Sequence, residues 1–200
     1  MRRLAVIGVP GTDPWAVADM IAARLGVGAV SLRDAVQAEF RAGTALAAEA
    51  GRFMNAGEVV PDELYLSILL PHLHPDGFVL ANFPRGLAHA AGLAERGVTL
   101  DRAVDLVLPD AEVVRRLDGQ RVCRGCGRVW QVDDAPSDRC DRCAGELFRP
   151  ESNAPGVAVM RVRNYRSMVA PALEHYRALG ILHPVDATLP PERIVEAALC

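Results

Sequence analysis

The 200-residue chain contains no lysine; all 22 of its basic residues are arginine. A codon bias that converts lysine to arginine accounts for this, and the abundance of Ala, Val, Gly and Arg fits such a bias. The chemical consequence is firm: no ammonium side chain is on hand to meet a phosphate group. A surplus of one charge is also lacking. The net charge is −3, so no broad basic surface points to nucleic acid or an acidic membrane. No apolar run approaches the ~20 residues of a membrane span. The opening "MRRLAVIGVPG" joins a basic pair to an apolar stretch, but that stretch is too short for a secretory signal and ends in a turn. These absences predict a cytoplasmic protein whose thiols stay reduced. No internal repeat and no low-complexity linker is visible.

What is there fits one domain with a sizeable core, since half the residues are hydrophobic. "RLAVIGV" (3–9) is a short apolar run bounded by Gly and Pro and reads as a buried strand. Helical spacing follows over 14–25. "GAVSL" (28–32) reads as a second strand. Residues 33–56 are helical in pattern, with breaks expected near Gly43 and Gly51. Pro and acids open a helix over 60–70. "GFVLAN" (77–82), "AVDLVL" (103–108) and "ILHPVD" (181–186) read as further strands. Helices are expected over 86–96, 110–118, 157–179 and 190–199, the third of these broken at Pro171. Strands alternating with helices predict an α/β domain with a parallel sheet flanked by helices.

Residues 121–155 differ in character, with Cys, Asp and Arg and few aliphatics. Cys123-x-x-Cys126 is followed after thirteen residues by Cys140-x-x-Cys143. Two such knuckles can set four thiolates around one tetrahedral ion, with Gly125, Gly127 and Gly145 helping the backbone turn. A structural zinc is the expected cofactor, because four cysteines leave no open position for catalysis. It would staple a segment too poor in aliphatics to bury a core. The competing readings are two disulfides, a redox C-x-x-C, and a nucleic-acid-binding ribbon. The six Arg and five acids of residues 121–150 are too balanced for the last of these. Cys200 reads as an exposed terminal residue.

The turn after the first strand, "GVPGTDPWA" (8–16), begins like a phosphate-binding loop. Gly8 and Gly11 are in place. The loop pattern G-x-x-x-x-G-K-[ST] then fails, because Asp13, Pro14, Trp15 and Ala16 stand where Gly, Lys, Gly and Ser/Thr are expected. Thr12 and Asp13 are good N-caps, and Pro14 suits a first helical position. Asp13 is therefore expected to cap its own helix, with Trp15 crowding the adjoining space.

Taken in order, these segments resemble a known family. After the turn come "SLRD" (31–34), "GT" (43–44), "AGEVVPDE" (56–63), "GFVLANFPR" (77–85), "RRLDGQRVC" (115–123), the four-cysteine insertion, "GEL" (145–147) and "RVRNY" (161–165). The whole chain resembles the adenylate kinase family, in its long form with a zinc-bearing LID. The resemblance implies a phosphate-loop-type parallel sheet and three parts: a core (1–31, 61–119, 156–200), a monophosphate-binding segment (32–60) and a LID (120–155). It implies that Asp34, Gly57, Val59, Val60, Arg85 and His89 line an acceptor nucleotide site. Arg116 and Arg161 would meet the donor and the migrating phosphoryl group, so Arg85, Arg116 and Arg161 are the candidate catalytic residues. His89 and Arg33 depart from the family pattern and could change the substrate.

The family pattern also shows losses. Pro14 replaces the loop Lys, and Ala16 the Ser/Thr that faces Mg. Ala81 replaces a Mg-associated Asp. Gln37 and Gln120 replace arginines. Leu32 and Arg33 replace Thr and Gly. Pro150, Ser152 and Asn153 replace an Arg and two acids, with Arg149 one residue away. These changes strip charge from a centre whose catalysis is positioning and charge stabilisation. The expected function is an adenylate-kinase-like protein that holds an AMP-like nucleotide and is deficient in standard ATP:AMP phosphotransfer. The alternatives are an active nucleotide kinase using Mg-nucleotide, a divergent phosphotransferase with an altered substrate, or a zinc-stabilised interaction module. A monomer is expected, with room for a protein partner that donates the missing cations.

Overall fold

The computed structural model describes residues 2–125, 129–132, 138–141 and 143–200. The described residues fall into two compact units. The first comprises Met1–Gly8, Asp13–Val107 and Met168–Cys200; the second comprises Val9–Thr12 and Leu108–Ser167.

The elements in chain order are β1 (Arg3–Gly8), α1 (Pro14–Leu25), β2 (Gly28–Ser31), α2 (Leu32–Ala42), α3 (Ala45–Ala56) and α4 (Asp62–Leu69). A 3₁₀ turn at Leu70–His72 leads to β3 (Phe78–Ala81), α5 (Leu87–Glu95) and β4 (Arg102–Val107). Then come α6 (Asp110–Gly119), β5 (Gln120–Cys123), β6 (Val129–Gln131), β7 (Leu147–Phe148), α7 (Pro155–Ala178), β8 (Leu182–Asp186) and α8 (Pro191–Leu199).

The first unit is built on a five-stranded sheet in the order β2-β3-β1-β4-β8, with every pairing parallel. Parallel strands are covered on both faces, which is why they read as unbroken apolar runs. Leu4, Ala5, Val6, Val79, Leu80, Ala103, Val104 and Leu106 are fully enclosed. Each large side chain among them contributes about 1.5–3 kcal/mol by leaving water. Ile21 and Ala18 of α1, Leu66 and Ile68 of α4, and Leu93 of α5 complete this core. Helices α4 and α5 pack closely at Gly92, where a Cβ would lie 2.3 Å from Leu66 Cδ1.

The second unit holds a small antiparallel sheet, β6-β5-β7. Cys123, Cys140 and Leu147 form a small buried cluster there, with Trp130 packed against them. Among the described residues no helix is long and apolar enough to cross a membrane.

Two expected breaks do not occur. Gly51 lies inside α3 rather than ending a helix. Its missing Cβ would sit 3.4 Å from the Phe40 ring, so the glycine admits a neighbour instead of breaking a helix. Pro171 lies inside the continuous α7. There Val169, Ala172 and Tyr176 are buried, and that packing carries the helix past the bond Pro cannot donate. Gly43 does end α2, in the left-handed conformation expected of a helix C-cap.

Candidate functional site

In the first unit, α1 begins on its own carboxylate. Asp13 is the N-cap, at φ 47° and ψ 62°, and its Oδ1 accepts the Ala16 N–H at 3.2 Å. Pro14 follows at the first helical position and is buried, while Trp15 is 40% exposed. The sequence at 12–16 dictates this start: Asp supplies the acceptor, and Pro has no N–H to leave unpaired. A small cavity of about 70 Å³ adjoins it, lined by Trp15, Asp19, Val30, Ser31, Asp34 and Ala81 among others. The fold thus gathers Trp15, Asp34 and Ala81 at one place.

Asp34 stands three residues after Ser31, the N-cap of α2. Ser31 Oγ donates to its carboxylate at 2.6 Å, and the Asp34 N–H donates back to Ser31 Oγ at 3.1 Å. Gly57 is the left-handed C-cap of α3. Val59 and Val60 part company: Val59 is 88% exposed and Val60 only 3%.

Arg85 lies exposed in the loop after β3, and its guanidinium makes no hydrogen bond or ion pair among the described residues. His89, on the first turn of α5, is 5% exposed. Its ring stacks on Phe83 with centroids 4.6 Å apart and meets Tyr65 edge-on at 6.3 Å. Nδ1 accepts the Arg85 backbone N–H at 3.3 Å. Nε2 lies 2.9 Å from Asp62 Oδ1, off the straight line of a hydrogen bond. Burial lowers the His89 pKa below its ordinary value. The Asp62 carboxylate works against this and the Arg85 charge works with it.

In the second unit, the Val9–Thr12 turn is closed by Thr12, whose N–H and Oγ1–H both donate to the Val9 carbonyl, at 3.2 and 2.7 Å. Arg116 lies against this turn. Its Nη1 donates to the Gly11 carbonyl at 3.3 Å, and its Nε pairs with Glu112 at 2.8 Å. Hydrogen bonds from Arg115 and Arg116 pull the Glu112 pKa down to about 2, so the Arg116 pair persists at neutral pH. Gly11, at φ +95°, lets the chain pass with a virtual Cβ 3.5 Å from Arg116 Cβ. Arg161 donates to Asn153 Oδ1 at 2.5 Å and to the Ser152 carbonyl at 3.0 Å. Asn153 Nδ2 in turn donates to Gln120 Oε1 at 3.1 Å. Arg149 pairs with Asp118.

The Sγ atoms of Cys123, Cys140 and Cys143 all lie within 4.8 Å of one another, and those of Cys123 and Cys143 are 3.4 Å apart. Cys126 lies outside the described residues. The Gly125 N–H points at Cys123 Sγ, 3.3 Å away. A Cβ on Gly145 would come within 2.8 Å of Cys123 Sγ, and one on Gly125 within 3.1 Å of Cys143 Sγ. A tetrahedral ion with Zn–S bonds of ~2.3 Å sets its sulfurs ~3.8 Å apart, so the three thiols are grouped at the right scale. This group of three cysteines could hold a metal ion.

The family model described as adenylate kinase matches residues 6–181. The chain belongs to the adenylate kinase family. It is 41% identical to the adenylate kinase of Salinispora tropica, over 98% of this chain and 96% of that one. It is 36% identical to that of Acidothermus cellulolyticus, with the same coverage. It is 34% identical to that of Archaeoglobus fulgidus, over 93% and 91%. The match to the adenylate kinase model runs through the turn at residues 8–16, the cysteine insertion and all of α7.

Within this adenylate kinase framework, sequence reasoning missed several local arrangements. Asp62 and Tyr65 reach His89 from α4, and "VPDE" signalled only a helix start there. Gln120 and Asn153, noted as separate replacements, hydrogen-bond to each other. Asn82, beside Ala81, holds φ 54°, which Asn adopts more readily than most residues.

Proposed function

We propose that this adenylate kinase family member binds a nucleoside monophosphate-type ligand and is deficient in standard ATP:AMP phosphotransfer. The observation that carries the reading is the Asp13 carboxylate seated on the α1 N-terminus. A helix N-terminus favours one anion, and here the chain supplies its own. A donor phosphate 4 Å from that carboxylate would meet a repulsion of about 4 kcal/mol at an effective dielectric of 20. Pro14 offers neither an N–H nor an ammonium. Loss of a single transition-state cation costs on the order of 10³–10⁵ in rate.

The acceptor side supports the positive half of the reading. Arg85 is exposed with an uncommitted guanidinium, ready to meet a phosphate beside His89. Asp34, Gly57, Val59 and Val60 would border the same ligand. Arg116 and Arg161 would serve the reacting phosphates only by leaving Glu112 and Asn153, their present partners. The chain would be organised as core (1–31, 61–119, 156–200), monophosphate segment (32–60) and zinc LID (120–155). Cys123, Cys126, Cys140 and Cys143 would hold a structural zinc that supplies folding energy and no chemistry. The protein would act as a cytoplasmic monomer.

A second reading, an active nucleotide kinase, draws on the relatives, which are named as adenylate kinases over nearly the full chain. Calorimetric titration with AMP, ADP and Mg-ATP separately, beside a coupled turnover assay, decides between them. Saturable AMP binding with turnover near the enzyme-free blank is expected. Tight Mg-ATP binding with turnover well above the blank would establish the second reading instead.

A further inference from the structure

His89 combines three properties that no other described histidine shares. It is buried, it accepts a hydrogen bond from the backbone of Arg85, and it has a carboxylate on its far nitrogen. Accepting at Nδ1 fixes the tautomer: the ring proton belongs on Nε2, facing Asp62. Three titratable groups face the ring. Asp62 and Tyr65 come from α4, and Arg85 comes from the loop after β3.

We propose that His89 is a positioning residue: its bare Nδ1 holds the Arg85 segment in place, and protonation at that nitrogen releases the segment and weakens capture of a phosphate-bearing ligand. The proposal rests on the reading that Arg85 meets the ligand's phosphate. The chemistry is a conflict of donors. A proton on Nδ1 turns the acceptor into a donor aimed at the Arg85 N–H, and two donors cannot share one hydrogen bond. It also adds a positive charge beside the Arg85 guanidinium. Asp62 favours that charge from the other side, but burial among Phe83 and Tyr65 opposes it. The site would therefore hold its ligand at neutral pH and loosen on acidification.

A plain helix-capping role would give the same contact, because His89 lies on the first turn of α5 and reaches back to a preceding N–H. The two roles part in their pH dependence. Glutamine can accept the Arg85 N–H through its side-chain oxygen at every pH. The test is AMP affinity by calorimetry for the full-length native protein and for His89→Gln, from about pH 7.5 to about pH 5. AMP's own phosphate titrates near ~6 and affects both proteins alike, so the ratio of affinities is read. The ratio at the upper end is the baseline, whatever affinity the substitution itself gives. Between the upper and the lower end native binding is expected to weaken about tenfold more than that of His89→Gln, the equivalent of one lost hydrogen bond. A ratio that stays constant across the range would overturn the proposal.

A second measurement uses the native protein alone. Nitrogen NMR of the His89 ring is expected to find the proton on Nε2 at neutral pH, with the Arg85 amide shifting as the ring titrates. A proton on Nδ1, or an Arg85 amide that ignores the titration, overturns the proposal. If neither protein binds AMP at any pH, the acceptor-site reading falls, and the NMR result still decides whether His89 holds Arg85.

Discussion

At the scale of single residues, Asp13 is the clearest case of a side chain whose part is set by its neighbours. It caps α1 from a left-handed backbone conformation that a Cβ residue adopts at a cost. Asp13→Ala loses the cap and keeps the strain. It should destabilise the protein by about 1–2 kcal/mol in urea titrations. Asp13→Gly loses the cap and relieves the strain, and should stay within about 0.5 kcal/mol of native. His89 makes a residue-scale prediction of its own. Its folded pKa lies below the ordinary value of about 6.5. Just below 6.5 the unfolded chain therefore binds the proton more readily than the folded one. Stability should be full above that value and fall as pH drops through the interval down to the folded pKa. His89→Gln should flatten that part of a melting-temperature profile. The cap was legible in the sequence, because Thr-Asp-Pro states it within three residues. The His89 contacts were not, since Asp62 and Tyr65 reach the ring only through the packing of α4 against α5.

At the scale of elements, the cysteine segment shows how closely the backbone passes its own thiols. Gly145 and Gly125 let the chain pass against the thiols, where a Cβ would stand 2.8 and 3.1 Å from sulfur. Gly145→Ala should therefore loosen the proposed zinc site without removing a ligand. Metal content after dialysis against a chelator should fall well below that of the native protein, while Gly156→Ala, which meets nothing within 4 Å, should leave it unchanged. Spacing made the thiol cluster readable in advance. It could not reveal that Gln120 and Asn153 satisfy each other, because their hydrogen bond joins positions far apart in the chain. Each amide supplies the other's partner, so the Asn153 amide group is not left stranded. Breaker residues misled in the other direction. Gly51 and Pro171 signal breaks on local grounds, and α3 and α7 continue because packing outweighs local preference.

At the scale of the whole molecule, the two units draw stability from partly different sources. The first rests on buried aliphatics around a parallel sheet. The second also buries aliphatics, Val113, Leu117, Ala158 and Val162 among them, and holds in addition a small cluster of Cys123, Cys140 and Leu147 with Trp130 beside it. If that cluster holds the proposed zinc, chelation should split calorimetric unfolding into two transitions, the earlier one reporting the cysteine segment. The later one should hold its midpoint. A single transition that shifts as a whole would show that the metal, or its absence, is felt equally throughout.

The parallel order of the main sheet also governs how the chain can be made. Strands β4 and β8 pair along their length, yet residues 108–181 are synthesised between them. The ribosome must release residues 108–186 before the last edge of the sheet can form. Closing so long an excursion costs entropy that grows only as the logarithm of its length, so the delay is kinetic more than thermodynamic. Until then β4 presents an open strand edge, and a nascent chain stalled after residue 107 should be the species most in need of a chaperone.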